Sequence, residues 1–215
     1  MTFKSSKNLS QTTLKQFGVV FAFNLGIFYN EYMKIEKTKL DGVVIIEPDV
    51  FRDERGFFVE TFQEECYQKI LGKDIHFVQD NFSSSKKGVL RGMHYQAPPF
   101  GQAKLVQVLK GKALDVALDI RFGSPTFGQY VMVELSSENH RQLFIPEGFA
   151  HGFLALEENT FFQYKCTNVY SREHERGIVW NDSVLGIDWG IKDPIVSDKD
   201  EKHMVLKDIP EEYRY

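Results

Sequence analysis

Between residues 113 and 120 the chain alternates: Leu114, Val116, Leu118 and Ile120 take every second position, with Asp115, Ala117 and Asp119 between them. A period of two predicts a strand with one face in the core. Short apolar runs of similar length recur at 43–46, closed by Pro48, and at 77–82, 89–96, 104–109, 129–135, 142–145, 152–156 and 160–168. Residues 51–62 read as a turn leading into a further strand. Turn sequences such as Lys110-Gly111-Lys112 and Gly123-Ser124-Pro125 separate the runs. One stretch, 63–71, is rich in helix formers and stops at Gly72, which predicts a short helix. Many short strands at close spacing predict an all-β sandwich or jelly-roll barrel with few helices. From Asp182 onward the pattern is irregular, and no repeat or low-complexity tract occurs.

The first 32 residues do not share this pattern. They carry Lys4, Lys7 and Lys15, with no acidic residue before Glu31. Residues 17–29 are mostly apolar, but the run is too short to span a bilayer and Asn24 interrupts it. No small-x-small cleavage site follows it. We expect residues 1–32 to be an extension outside the fold and residues 33–215 to form a single domain that starts at Met33. The competing expectation is a membrane-surface or signal-like segment.

Composition narrows the class. At 215 residues the chain suits one domain with a sizeable core. A net charge of -4 gives no global electrostatic case for nucleic acid. The 19 phenylalanines and 9 tyrosines fit an all-β core. Cys66 and Cys166, with no Cys-x-x-Cys pair, argue against both a disulfide framework and a zinc site, and fit a reducing cytoplasm.

Two histidines carry the candidate chemistry. His94 ends the strand at 88–96, with Arg91 three residues before it and Gln96 two after. His151 ends a Pro146-x-Gly148-x-x-His151 turn. A glycine-led strand bearing a histidine, then this turn, resembles the two-part signature of cupin barrels. A metal-binding cupin brings about three histidines and a carboxylate together. Here Gln96 stands at the second histidine position, and Ala97, Pro98, Pro99 and Phe100 supply no carboxylate. Each histidine alone reads as a hydrogen-bonded structural residue; their joint placement predicts a barrel without metal in which His94 is a general base. A base that removes a carbon-bound proton needs a neighbouring ketone and a donor for the enolate oxygen. Lys104, on the next strand, is the candidate donor, although a lone lysine often reads as a solvated edge residue. A carboxylate on the other ring nitrogen would fix the tautomer of the base.

The segments 51–62, 77–96, 111–121, 124–153, 164–171 and 178–182 together resemble the dTDP-4-dehydrorhamnose 3,5-epimerase family, from about Met33 to the tail. The resemblance implies a dTDP-4-keto-6-deoxy sugar substrate and double epimerisation at C3 and C5, with neither metal nor NAD. It makes His94 the base, Asp200 its paired carboxylate, Tyr164 the acid for the opposite face at the second centre and Lys104 the group near the keto oxygen. It places Arg55, Gln79, Asn81, Arg91 and Lys165 around the diphosphate and sugar, with Phe58, Glu60, His151, Tyr170 and Glu175 as further binding residues. Arginine suits pyrophosphate because its planar fork pairs bidentately with phosphate oxygens, and aromatic faces suit a thymine ring. The family's homodimers exchange N-terminal strands, which would put Arg55 at the partner's site. No nucleic-acid or membrane partner is implied. The open alternatives are an epimerase acting at C3 or C5 alone, a sugar 3,4-ketoisomerase on the same barrel, and a non-catalytic sugar-binding cupin. His94 together with Tyr164 favours double inversion.

Overall fold

A computed structural model describes residues 19–22, 27–30 and 33–215. Its large sheet has the order β1 (Val19–Ala22), β2 (Ile27–Asn30), β3 (Met33–Lys37), β4 (Val44–Pro48), β12 (Gln142–Ile145), β9 (Lys104–Lys110), β14 (Thr160–Cys166) and β7 (Gln79–Ser85). A second sheet has the order β11 (Tyr130–Ser136), β10 (Lys112–Asp119), β13 (Phe149–Ala155), β8 (Leu90–Gln96) and β15 (Glu175–Gly177). The two sheets close face to face into a cupin-type jelly roll, and an apolar cluster fills part of its interior. Val106, Val108, Leu143 and Phe162 of the large sheet meet Ala113, Ala117, Phe149 and Phe153 of the small one.

The helix α1 (Glu64–Leu71) covers the outer face of the large sheet. Its boundaries follow from its caps. The Gln63 side chain accepts the Cys66 amide at 2.7 Å, and Gly72, at φ 116°, ends the helix. Glu64 and Glu65 in the first turn and Lys69 in the last suit the helix dipole. Tyr67 is buried beneath it and donates to Gln142 Oε1 at 2.7 Å.

Three readings change. Residues 51–62 are not a turn and one strand but a separate hairpin, β5 (Val50–Asp53) with β6 (Gly56–Val59), which leaves Phe51, Phe57 and Phe58 exposed. Strand β10 is buried on both faces. Its Val116 and Leu118 do not face the barrel interior; they pack, with Ile120, against Ile178, Trp189, Leu206 and Ile209 of the tail. The Asp115 and Ala117 face is the interior one, so the strand that the alternation predicts has packing on both faces rather than on one. The irregular tail is therefore a second layer over the small sheet. Backbone hydrogen bonds of 2.9 Å, from the Leu90 amide to Ile195 and from the Val179 amide to Met204, pin it there.

Strands β1 and β2 continue the large sheet beyond β3 as antiparallel neighbours. The remainder of the expected extension, 1–32, lies outside the described residues. No helix among the described residues is long and apolar enough to cross a membrane.

Candidate active site

A cavity of about 570 Å³ opens at one end of the barrel, between strands β7, β8, β9, β13 and β14 and the tail. Asn81, Arg91, His94, Lys104, Tyr164 and Asp200 line it. Arg91 and His94 are three residues apart and would face opposite ways in a regular strand. They share the cavity because β8 bulges: His94 pairs with His151 and Arg91 with Phe153, so β8 holds an extra residue there. Gly92, at φ 131°, sits in the bulge. A side chain on it would strike the backbone of Gly152, so the close approach of β8 and β13 requires glycine.

The bulge also turns the Gly92 amide outward, where it donates to Asp200 Oδ2 at 3.2 Å. The other oxygen of Asp200 stands 2.7 Å from His94 Nε2. Asp200 opens a short 3-10 helix, Asp200–Lys202, and its amide is held by Ser197 Oγ. The carboxylate is 3% exposed. Burial alone would raise its pKa, but His203, His94 and the Gly92 amide together hold it well below the usual carboxylate range. An ionised Asp200 makes Nε2 the protonated nitrogen of His94 and leaves the Nδ1 lone pair free. Burial lowers the pKa of His94 and outweighs Asp200, which raises it, while Lys104 and Lys199 lower it further. The geometry is that of a neutral imidazole oriented by a carboxylate.

Lys104 and Tyr164 complete the cavity floor. Alternation along β14 puts Phe162, Tyr164 and Cys166 on the inner side and Lys165 on the other, as expected. The Lys104 ammonium lies 5.9 Å from the centre of the Tyr164 ring and 3.5 Å from the His94 carbonyl. Burial lowers the pKa of Lys104 and raises that of Tyr164, so the phenol keeps its proton at neutral pH.

A polar wall extends from this floor. Gln79 donates to Asn81 at 3.0 Å and accepts the Tyr170 amide at 2.8 Å. The Tyr170 hydroxyl donates to Glu175 at 3.0 Å, and Lys199 pairs with the other Glu175 oxygen at 2.7 Å. Arg91 is held at the mouth by Ser85 Oγ at 3.0 Å.

Four expected binding residues stand elsewhere. Lys165 points out of the barrel to Asp80 at 2.9 Å and lies over the Phe62 ring. Arg55 has an 89% exposed side chain and pairs with Asp53. Phe58 and Glu60 belong to the exposed hairpin region, beside a separate cavity with Met33 and Cys66. Asp115, not among the expected site residues, is fully buried and 2.8 Å from His151 Nε2. Its signal was an acidic residue inside an otherwise apolar strand. Lys199, also overlooked, lines the cavity.

A family model described as dTDP-4-dehydrorhamnose 3,5-epimerase matches residues 37–208. The chain belongs to that family. The matched span contains His94, Lys104, Tyr164 and Asp200 and leaves the first 36 residues outside. A dTDP-4-dehydrorhamnose 3,5-epimerase of Shigella flexneri is 53% identical over 168 residues, 78% of this chain and 93% of that protein. The crystal structure of the Legionella pneumophila dTDP-6-deoxy-D-glucose-3,5-epimerase, in complex with dTDP-4-keto-L-rhamnose, is 51% identical. It superposes with a TM-score of 0.82 over 86% of this chain and 99% of that one. A more distant structure in the same comparison, a 3'-monoepimerase of Streptomyces bikiniensis in complex with dTDP-quinovose, is 34% identical, with a TM-score of 0.76 over 79% of this chain and 86% of that one.

Proposed function

We propose that this chain is a 3,5-epimerase that converts dTDP-4-dehydro-6-deoxy-D-glucose to dTDP-4-dehydro-L-rhamnose. The observation that carries the reading is the 2.7 Å pairing of His94 Nε2 with Asp200, in one cavity with Lys104 and Tyr164. The C4 ketone of the substrate acidifies the protons at C3 and C5. His94 Nδ1 takes such a proton, and the electron pair moves onto the C4 oxygen as an enolate. The Lys104 ammonium donates to that oxygen. A proton then returns to the opposite face of the carbon, which inverts the centre, and Tyr164 delivers it at C5. The imidazolium is stabilised by Asp200, which stays ionised throughout. Once solvent has taken the proton from His94, repetition at the second carbon gives the doubly inverted sugar, and the Tyr164 phenolate regains its proton from solvent. Double rather than single inversion is supported by the identities of 53% and 51% to the Shigella flexneri and Legionella pneumophila 3,5-epimerases, against 34% to the 3'-monoepimerase.

Arg91, Gln79, Asn81, Tyr170 and Glu175 are the binding residues on this chain. Arg55, Phe58 and Glu60, remote from the cavity, serve a partner subunit's nucleotide in a homodimer with exchanged N-terminal strands. The site of action is the cytoplasm. Incubation with dTDP-4-dehydro-6-deoxy-D-glucose, followed by proton NMR, tests the reading. The rhamno-configured product is expected; unchanged substrate, or a C3 epimer alone, would contradict it.

A further inference from the structure

His203 stands beside the dyad and helps keep Asp200 ionised, but takes no part in the proton transfers. Gly177 on β15 makes the room for its ring, since a side chain there would collide with it. The ring is edge-on to His94, with centroids 5.6 Å apart and planes at 81°. Its Nε2 lies 3.4 Å from Asp200 Oδ1 yet is buried without a well-aligned hydrogen bond. A buried polar nitrogen in that state costs free energy until something satisfies it.

We propose that His94, Asp200 and His203 form a binding site for a divalent transition ion, zinc in particular, and that its occupation switches the base off. The blocking role rests on the reading of His94 as the base. The three ligand atoms lie within 4.8 Å of one another. Two imidazole nitrogens and a carboxylate oxygen are a donor set that zinc takes, with the fourth position left to water. Bonds of about 2.0–2.2 Å at tetrahedral angles set ligand atoms roughly 3.3 Å apart. His203 Nε2 and Asp200 Oδ1, at 3.4 Å, already have that separation. The His94 Nε2 contact, at 2.7 Å, has to open by about 0.6 Å to reach it. Magnesium and calcium, which prefer oxygen ligands, do not suit two imidazoles.

The proton balance gives the consequence. In the dyad, Nε2 of His94 carries the ring proton and Nδ1 holds the lone pair. An ion on Nε2 takes that nitrogen's electron pair, and the ring proton moves to Nδ1. The imidazole stays neutral, but its basic nitrogen is now occupied. Asp200 exchanges a hydrogen bond for a metal bond. The ion acts from behind the imidazole without entering the sugar's space, so it lowers kcat more than it raises KM.

Calorimetric titration of zinc into the chelator-stripped full chain tests this, alongside His203→Ala and the surface control His76→Ala. A single site is expected in the unmodified protein and in His76→Ala, weakened at least tenfold in His203→Ala. Cobalt(II) added to the same proteins should give the visible absorption of a four-coordinate site, lost in His203→Ala. No zinc binding, or equal binding in His203→Ala, overturns the site. Deuterium exchange into the sugar nucleotide should be full in the stripped protein, slowed by zinc and restored by chelator. Zinc held through His203 with exchange unslowed overturns the blocking role. If the stripped protein shows no exchange at all, the epimerase reading has failed, and the calorimetry still decides the metal site.

Discussion

His94 and His151 lie directly opposite one another in the β8–β13 ladder, and each is tied to its own carboxylate, Asp200 at 2.7 Å and Asp115 at 2.8 Å. The two pairs differ in access. Both histidines border the cavity, but His94 is partly exposed, whereas Asp115 and His151 are buried. We therefore assign proton transfer to His94 and expect Asp200→Asn to slow exchange by about 10²-fold or more while substrate affinity stays within a few-fold. Exchange rates by NMR together with a calorimetric Kd check this; an unchanged rate would leave Asp200 without a role.

The pH profile follows from the same pair. A base works unprotonated, so the rate is lost as pH falls through the pKa of His94. Burial places that pKa below its ordinary value of about 6.5, and the acid limb should lie there. Asp200 raises the pKa of His94, so in Asp200→Asn the residual activity should have its acid limb at still lower pH. The alkaline fall should come from Lys104, whose pKa burial lowers, before Tyr164, whose pKa burial raises above its ordinary value of about 10. An acid limb above 7 in kcat/KM would contradict the assignment.

Tyr164→Phe separates proton removal from proton return at C5. With His94 intact, we expect deuterium exchange to persist at one or both carbons, while inversion at C5 is lost. Product analysis by NMR checks it: a doubly inverted sugar at near the unmodified rate would mean that another group delivers the proton.

The pairing of Phe162, Tyr164 and Cys166 against Lys165 was legible because a strand's period fixes which residues share a face. Which face lies inside the barrel was not. Nothing in β10 announces the tail that buries its Val116 and Leu118 side. The tail has no periodicity of its own, so Asp200 was reachable through family resemblance alone, and His203 was missed. The bulge that brings Arg91 and His94 to one cavity depends on how β8 pairs with β13, which spacing along one strand cannot reveal. The exposure of Arg55 likewise has no local signal, since an arginine in a turn looks the same at a surface or an interface.

The extension is open to a direct trial. The family match begins at residue 37, and we expect a chain starting at Met33 to be folded, dimeric and active. Size-exclusion chromatography with an activity assay checks this; loss of folding on removing residues 1–32 would show that β1 and β2 are required.

The base itself is tested most directly by proton NMR of dTDP-4-dehydro-6-deoxy-D-glucose in heavy water, comparing the unmodified protein with His94→Ala. We predict that deuterium enters at both C3 and C5 with the unmodified protein and at neither carbon with the variant. Near-normal exchange in His94→Ala would contradict the assignment of His94 as the base.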